Sequence, residues 1–466
     1  MRDLRRRFSL PALCVATSIL MLTAPNAMFG DNWAGWRGPG RNGVSHESGL
    51  PLKWSSGENV AWKAPLPGMG VGGPIIWGDR IFVTDCDGPH QANLHVICLA
   101  RDSGRELWHD QFWGTAPTLH HDTKSSMATP VPVTDGQFVF AFFGTGDVFC
   151  TTVEGELVWQ RSLASEYGAF ENRFAASSSP VLYENLMIVQ CDHYGDSYVL
   201  AIDKATGATA WKVDRPGYWH SWASPQLVPV AGAKSPPQGR FELVLCGSEK
   251  LDAFDPATGR KLWTVTGMLR ECIPTPVFDN GLIYAVSGPK GPTLAVRPGG
   301  RGDVTNSHVA WSAIRGAPFV PSAIVVGPAY ELVDDAGVLT CLDAIRGTRR
   351  WQSRLPGRYT ASPLAGDGKL YFFNEDGMTT VISSRAERFQ VLSQNAIDEP
   401  IFATPAISQG QLFIRAPSRL WCIGGAARPQ RSTEVKEKPG RRQSQTESKL
   451  SPAGHFVFAV APATRP

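Results

Sequence analysis

Basic side chains recur at one position relative to a proline, and this recurrence is the clearest candidate for binding chemistry in the sequence. Six segments place a Lys, Arg or His five to seven residues before the Pro of a short apolar run: Lys124, Arg173, His220, Arg270, Arg315 and Arg358. If these side chains reach one surface, they form a cationic arc that suits a carboxylate-rich ligand or an acidic peptide. The alternative is that each one caps backbone carbonyls or faces water.

Aromatic residues and histidines enrich two of these segments. Trp219 and Trp222, with Tyr218, flank His220 and are candidates for a stacking wall against a planar ligand or a peptide. Packing of these rings beneath their loop is the simpler interpretation. The segment Thr118–Lys124 holds two histidines and an aspartate, but adjacent loop residues seldom chelate one ion without partners from elsewhere. We therefore predict structural or solvated histidines and no metal site.

A repeat that runs through the chain must position these candidates. Its clearest copies, at residues 201–211 and 253–263, each contain an apolar strand, an Asp-x-x-Thr-Gly turn and a strand that carries a Trp. The Asp side chain can accept from the backbone two residues later and the Gly can take a positive φ, so the chain reverses into a hairpin. Self-similarity at about 40 to 50 residues, with four strands per period, indicates a β-propeller.

Seven complete units and one divided unit predict eight blades. The units open with Pro74, Pro130, Pro180, Pro225, Pro276, Pro321, Pro363 and Pro405. The last unit supplies three strands within residues 401–423, and Asn59–Lys63 supplies the fourth, which closes the ring and removes two open sheet edges. Seven blades are the alternative if the fifth unit fails. Its Gly-rich stretch Arg297–Thr305 lacks the Lys and following helix of a phosphate loop, so we expect an elaborated hairpin.

The hairpin phrase resembles the tryptophan-docking motif of PQQ-type β-propellers, in which the Trp packs against the neighbouring blade. The resemblance covers residues 33–424. That family contains quinoprotein dehydrogenases and non-catalytic scaffolds such as the BamB-like lipoprotein of the outer-membrane β-barrel assembly machinery. The resemblance implies an all-β, eight-bladed propeller with quinoprotein-type repeats.

The two ends of the chain differ in composition from the repeat region. Residues 1–30 resemble a secretory signal, with four arginines before an apolar run too short for a stable membrane span. Residues 425–466 are rich in Pro, Arg, Ser, Gln and Lys and are predicted to be a disordered basic tail. The predicted propeller, residues 31–424, carries 33 basic and 38 acidic residues, a net charge of about −5 that gives no support for nucleic-acid binding. We therefore expect an exported protein of the periplasm or cell envelope without a transmembrane span.

Seven of the nine cysteines follow the repeat. Third strands carry Cys98, Cys150, Cys341 and Cys422 at one equivalent position, and second strands carry Cys86, Cys191 and Cys246 at another. Equivalent positions of different blades rarely come within bonding distance, so we expect buried thiols and no disulfides. The sequence also lacks a Cys-x-x-Cys-His haem motif and the vicinal Cys-Cys pair with which many PQQ alcohol dehydrogenases bracket their cofactor.

Two classes of function follow from the resemblance. The favoured one is an exported, monomeric, non-catalytic scaffold that binds a peptide, an envelope protein or a small ligand without a cofactor, with an assembly role like that of the BamB-like scaffolds. The alternative is a PQQ- and Ca²⁺-dependent dehydrogenase of alcohols or sugars, for which Asp192, Glu171 and Asn172 are candidate calcium ligands that no spacing singles out. Glycan binding by the aromatic loop is a third alternative. We predict no catalytic residues, since no nucleophile elbow or nucleotide-binding motif is present.

Overall fold

The computed structural model describes residues 32–115, 124–171, 174–219, 221–230, 240–313, 316–384 and 387–425. The predicted signal and the tail from residue 426 lie outside these ranges. So do three members of the basic arc, Arg173, His220 and Arg315, and the two histidines of residues 118–123. No helix in the described ranges is long and apolar enough to cross a membrane.

Four-stranded antiparallel sheets are the repeating unit of the fold. The N-terminal strand is β1 (Val60–Pro65), and the first four blades are β2–β5 (Ile75–Trp77, Arg80–Asp87, Asn93–Ala100, Glu106–Trp113), β6–β9 (Val133–Thr134, Phe138–Phe142, Asp147–Thr152, Leu157–Ser162), β10–β13 (Val181–Tyr183, Leu186–Cys191, Tyr198–Asp203, Thr209–Asp214) and β14–β17 (Gln226–Pro229, Phe241–Gly247, Lys250–Phe254, Lys261–Thr266). The fifth to eighth blades are β18–β20 with β22 (Val277–Asp279, Leu282–Val286, Thr293–Val296, Val309–Ala313), β23–β26 (Ile324–Val326, Ala329–Val333, Val338–Asp343, Arg349–Arg354), β27–β30 (Leu364–Gly366, Lys369–Phe373, Met378–Ser383, Val391–Ala396) and β31–β33 with β1 (Ala406–Ser408, Gln411–Arg415, Arg419–Ile423). Blade 4 has an extra strand, β21 (Gly302–Asp303), and the helices are a 3-10 turn (Pro89–Gln91), α1 (Leu163–Tyr167) and α2 (Thr305–His308).

The predicted eight blades and their closure are confirmed. Strand β1 pairs antiparallel with β33, with Trp62 opposite Cys422 and Ala64 opposite Leu420. Middle strands such as β19 are buried along their whole length, whereas the outer strand β13 is exposed except for Trp211 and Val213, which are half-buried. The apolar core therefore lies between neighbouring blades, as expected for strands that are covered on both faces.

The predicted tryptophan docking is also confirmed. In five seams the indole Nε1 of one blade donates to a backbone oxygen in the next hairpin: Trp62 to Arg101 (3.0 Å), Trp108 to Val153 (3.0 Å), Trp159 to Lys204 (2.9 Å), Trp211 to Pro256 (3.2 Å) and Trp311 to Ala344 (2.9 Å). The hairpin Gly that each indole covers has no room for a side chain. A Cβ on Gly207, for example, would lie 2.8 Å from the Trp159 ring. We call this side of the ring the hairpin face.

The seam between blades 4 and 5 is built differently. Trp263 is fully buried and donates to the Glu242 carboxylate of its own blade at 2.8 Å, and the Gly299 amide donates to the same carboxylate oxygen at 2.9 Å. The Gly-rich stretch of blade 5 carries β21, which pairs parallel with β17, and is followed by α2. The prediction of an elaborated hairpin in the fifth unit is therefore confirmed, and this insertion covers the outer edge of blade 4.

An N-terminal segment crosses the hairpin face before it enters blade 8. Trp33 bridges Ile76 of blade 1, and Val44 bridges Ala365 of blade 7. Between them, Trp36 reaches into the axial channel, where its Nε1 donates to Thr275 Oγ1 at 3.1 Å. The channel is thus occupied by protein on the hairpin side. The eight cysteines in the described residues are all buried and free.

Candidate functional site

The inner ends of the blades surround an axial cavity of about 200 Å³. Its wall is mainly aromatic and apolar, with Phe174, Trp222, Phe319 and Phe402 among the lining side chains. Trp222 is 6% exposed and donates from Nε1 to the Ala175 oxygen at 3.1 Å. This candidate for an aromatic wall therefore packs within its loop and lines the cavity at the same time.

Lys124 and Arg358, two members of the predicted basic arc, meet at one carboxylate. Lys124 lines the cavity, and its Nζ lies 2.6 Å from Oε1 of Glu375, in the turn between β28 and β29. Thr360 donates to the same oxygen at 2.7 Å, and the exposed Arg358 lies 3.8 Å from the other. Lys124 thus crosses from the connection between blades 1 and 2 to blade 7. The structure brings these two cations together as partners of Glu375.

A ring of hydroxyl groups lies in the cavity wall, and our sequence reasoning missed it. Its members are Ser179, Ser224, Thr275, Ser322, Ser362 and Thr404, and they are 2% to 6% exposed. Each Oγ accepts from a backbone N–H of the preceding blade at 2.9 to 3.2 Å. In blade 1 the equivalent residue is Gly73, where a side chain has no room because a Cβ would lie 2.2 Å from the Thr404 carbonyl oxygen. The missed signal is a Ser or Thr next to the blade-opening Pro.

The remaining described candidates form an exposed patch on the face opposite the hairpins, which we call the loop face. Trp219 is 42% exposed, and the Arg270 guanidinium lies 5.5 Å from its ring centroid. Leu269, also 42% exposed, precedes Arg270. Ser248 Oγ accepts from the Trp219 amide at 2.7 Å and donates to the Trp219 oxygen at 2.8 Å, while the Glu249 amide donates to the Leu269 oxygen at 3.2 Å. One blade-4 turn thus holds both parts of the loop-face patch, defined as Trp219, Leu269 and Arg270.

A buried charged network supports this patch from below. Arg215 makes a bidentate contact with Asp192 (2.8 and 3.0 Å) and lies 3.7 Å from Asp252. Tyr218 donates to Asp252, and its ring lies 3.9 Å from the Arg215 guanidinium. Burial opposes the charge on Arg215, but the two carboxylates outweigh it and raise the pKa of the guanidinium. The network therefore fixes Tyr218, whose neighbour Trp219 projects to the surface.

The described cavity wall does not match a site for PQQ and calcium. It contains no Asp or Glu side chain among the described lining residues, whereas Ca²⁺ requires several oxygen ligands that are usually carboxylates. Of the candidate ligands, Asp192 is engaged with Arg215, Glu171 is exposed, and Asn172 lies outside the described residues. Within the described ranges, no three His, Cys, Asp or Glu side chains cluster in a way that could hold a metal ion.

The sequence profile described as outer membrane protein assembly factor BamB matches residues 44–177 and 92–327. Outer membrane protein assembly factor BamB of Salmonella typhimurium strain LT2 is 25% identical over 407 residues, which are 81% of this chain and 95% of that protein.

Solved structures show the same fold at low identity. BamB from Moraxella catarrhalis has a TM-score of 0.56 at 14% identity, over 78% of this chain and 98% of that chain. The quinohemoprotein alcohol dehydrogenase of Comamonas testosteroni has a TM-score of 0.62 at 11% identity, over 85% of this chain and 81% of that one. At these identities the structural similarity establishes the propeller fold alone, and the function must be argued from the site.

Proposed function

Because the chain belongs to the PQQ-like propeller family whose profile is described as outer membrane protein assembly factor BamB, we propose that it is a non-catalytic scaffold of the cell envelope. On this proposal the protein is exported and holds a partner protein of outer-membrane assembly on its loop face. The relative from Salmonella, an assembly factor similar over nearly its whole length, supports this assignment.

The loop-face patch is the observation that carries the proposal. Trp and Arg are the residue types that most often dominate binding energy at protein interfaces, particularly when they are held in one conformation before binding. Trp219 and Arg270 already stack on each other, and the Ser248–Glu249 turn fixes the Trp219 and Leu269 backbone. A partner that covers the patch would remove a large exposed indole from water at little cost in conformational entropy.

A matched pair of tryptophans tests the scaffold proposal. Trp219 lies in the patch, whereas Trp113, at the end of β5 in blade 1, is 70% exposed and lies outside it. Photo-crosslinking residues at either position, introduced in cells of the source organism, should link only position 219 to a component of the outer-membrane assembly machinery. With that purified component, Trp219→Ala should weaken binding by about 2 kcal/mol, roughly 30-fold, and Trp113→Ala should leave it unchanged. Equal crosslinking or equal loss at both positions would contradict the proposal.

The alternative, a PQQ- and Ca²⁺-dependent dehydrogenase, draws support from the axial position of the cavity and the fold shared with a quinohemoprotein alcohol dehydrogenase. A thermal-unfolding titration with PQQ, with and without Ca²⁺, separates it from the scaffold proposal. Ligand at a hundredfold excess over its dissociation constant stabilises the native state by about 2.7 kcal/mol. A saturable, Ca²⁺-dependent rise in Tm would favour the dehydrogenase, and an unchanged Tm would favour the scaffold.

A further inference from the structure

The outer strand of blade 6 is the most basic outer strand of the ring. β26 carries Arg349, Arg350 and Arg354 and no acidic residue, which gives it a net charge of +3. The outer strands of the other seven blades, β1, β5, β9, β13, β17, β22 and β30, have net charges between −2 and +1 with His neutral. Since the predicted propeller as a whole is acidic, β26 is a local concentration of positive charge.

Two of these arginines have no carboxylate partner in the described part of the chain. Arg350 pairs with Asp343 at the end of β25. Arg349 and Arg354 are both exposed, and no described carboxylate lies within 4.0 Å of either guanidinium. Their charges are therefore free to attract an anionic group from outside the protein.

The residues on either side of β26 extend this charge. The side chain of Arg346, in the hairpin before the strand, is 78% exposed and lies 3.7 Å from Asp343. The side chain of Arg358, in the connection after the strand, is 71% exposed and lies 3.8 Å from Glu375. Both carboxylates already have a closer cation. Residues 346–358 thus contain five arginines and no acidic residue, and they run from the hairpin face to the loop face.

The backbone of the same strand has an open edge. β26 is the last strand of its sheet, and β25 is the only described strand that pairs with it. An edge of this kind presents N–H and C=O groups that can pair with a further strand. Blade 4 shows that an outer edge of this ring accepts one, because β21 pairs there with β17 as a fifth strand.

We propose that the outer edge of blade 6 binds an extended acidic segment of a partner protein, which adds to β26 as a fifth strand. Backbone hydrogen bonds hold the segment, and its carboxylates pair with Arg349 and Arg354, whose planar guanidinium groups suit a carboxylate. A second copy of this chain does not fit, because its own β26 brings three arginines against these three. β26 shares no residue with the loop-face patch, so the inference does not depend on the proposed function.

Three peptides test the charge and the backbone separately. The probe is fluorescein-labelled Thr-Val-Glu-Thr-Glu-Val-Thr-amide. A second peptide has Gln in place of both Glu, and a third keeps both Glu but is N-methylated on two adjacent central residues, which blocks pairing along either edge of the peptide. Fluorescence anisotropy with the full chain, at about 50 mM salt to limit screening, measures each Kd. We expect the Kd of the probe to be at least about tenfold lower than that of either control, because only the probe has both the charges and the free amides.

Each other result contradicts part of the proposal. Equal affinities for the Glu and Gln peptides, or binding of none of the peptides at millimolar concentration, would overturn it. Equal affinities for the probe and its N-methylated form would mean that charge alone holds the peptide. The arginines would then be a site for polyanions such as linear polyphosphate, and strand addition would be refuted.

A matched pair of double variants locates the site. Arg349→Gln/Arg354→Gln should weaken the probe at least about fivefold and leave Tm unchanged, because both side chains are exposed. Arg105→Gln/Arg260→Gln removes the same charge from exposed positions in the hairpins of blades 1 and 4, and it should bind as the parent does. Equal loss in the two double variants would show that the probe senses only the total charge of the protein, and would refute the site.

Hydrogen–deuterium exchange gives a readout that does not depend on affinity. With the probe bound, backbone amides within residues 349–354 should exchange more slowly, because some of them donate to the added strand. The N-methylated peptide should leave their exchange unchanged. Slower exchange at another outer strand, with none at β26, would place the peptide elsewhere and refute the assignment to blade 6.

Discussion

The hairpin face and the loop face of this ring are built by different rules. On the hairpin face one contact recurs in five seams, an indole that covers a Gly and donates to a backbone oxygen of the next hairpin. On the loop face the described contacts beyond the hydroxyl ring differ from one connection to the next: Lys124 crosses to Glu375, Trp222 packs against the cavity, and Trp219 stacks on Arg270 at the surface. The repeated contacts of the hairpin face hold neighbouring blades together, whereas the varied contacts of the loop face leave it able to bind a partner.

The seam between blades 4 and 5 shows what happens where the repeat is lost. Without a regular hairpin to cover, Trp263 turns to Glu242, and the Gly-rich insertion supplies β21 as a replacement for the missing contact. The regular docking contact is thus replaced locally by full burial of the Trp263 indole and by its hydrogen bond to the buried Glu242 carboxylate. The ring still has eight blades.

Substitution of Trp263, in the unusual seam, should lower the unfolding free energy more than substitution of Trp211, in a regular seam. Trp263 is fully buried, and its removal also leaves the Glu242 carboxylate with one donor fewer, so Trp263→Ala should cost about 4 to 5 kcal/mol of unfolding free energy. Trp211 is only partly buried and donates to a backbone oxygen, so Trp211→Ala should cost about 2 to 3 kcal/mol. Urea denaturation of both variants measures the difference. Equal losses would show that the unusual seam is no more than a variant of the regular one.

Buried carboxylates also distinguish the two regions. Beneath the loop-face patch Asp192 and Asp252 face Arg215, whereas Glu331 within β24 of blade 6 has no described base beside it. Burial raises the pKa of Glu331 from 4.5 to about 8, and the Cys341 thiol offsets this only in part. The folded protein therefore holds a proton that the unfolded chain releases above about pH 4.5, so the stability due to this group falls as pH rises towards 8.

Replacement of Glu331 by Gln should remove that pH dependence. The amide keeps the shape of the side chain but does not titrate, so Glu331→Gln should match the parent near pH 5 and exceed its stability by on the order of 2 to 3 kcal/mol at pH 8. Thermal unfolding from pH 5 to pH 9 measures both curves. Parallel curves for the two proteins would mean that Glu331 finds a base on folding.

The sequence was sufficient for the fold because the elements of the repeat are visible in it. Asp, Gly and Trp at fixed spacing predicted the hairpins, and the divided unit predicted closure, both of which depend on local residue types. The pairing of Trp263 with Glu242 has no such signal, since Glu242 lies within an ordinary strand, β15.

The candidate site was predictable only in part. Trp219 and Arg270 were found as loop residues, but their stacking depends on how two successive connections meet. The contact of Lys124 with Glu375 joins residues 251 positions apart, which no local pattern encodes. The hydroxyl ring could have been predicted from the sequence, because a Ser or Thr precedes six of the blade-opening prolines, at Pro130, Pro180, Pro225, Pro276, Pro363 and Pro405.

Two glycines with similar left-handed backbone conformations test the contrast between the faces. Gly207, in a docking hairpin, has φ +72°, and a Cβ there would lie 2.8 Å from Trp159, whereas Gly217 on the loop face has φ +80° and open space around it. Ala at either position pays for the left-handed backbone, about 1 kcal/mol. Gly207→Ala must also displace the indole, so we expect about 2 kcal/mol there. Denaturation with tryptophan fluorescence measures both, and a larger loss for Gly217→Ala would reverse our assignment of cohesion to the hairpin face.

The smallest effect on stability should come from the loop-face patch itself. Trp219 and Arg270 are exposed, and their stacking in water contributes little, so the double variant Trp219→Ala/Arg270→Ala should change the unfolding free energy by no more than about 0.5 to 1 kcal/mol. Trp211→Ala, from a regular seam, is the reference in the same denaturation series. A loss as large as that of Trp211→Ala would mean that the patch stabilises the ring, and its exposed indole would then need no partner to explain it. If the double variant is stable but no longer binds the partner, the loop face binds the partner and the hairpin face holds the same blades together.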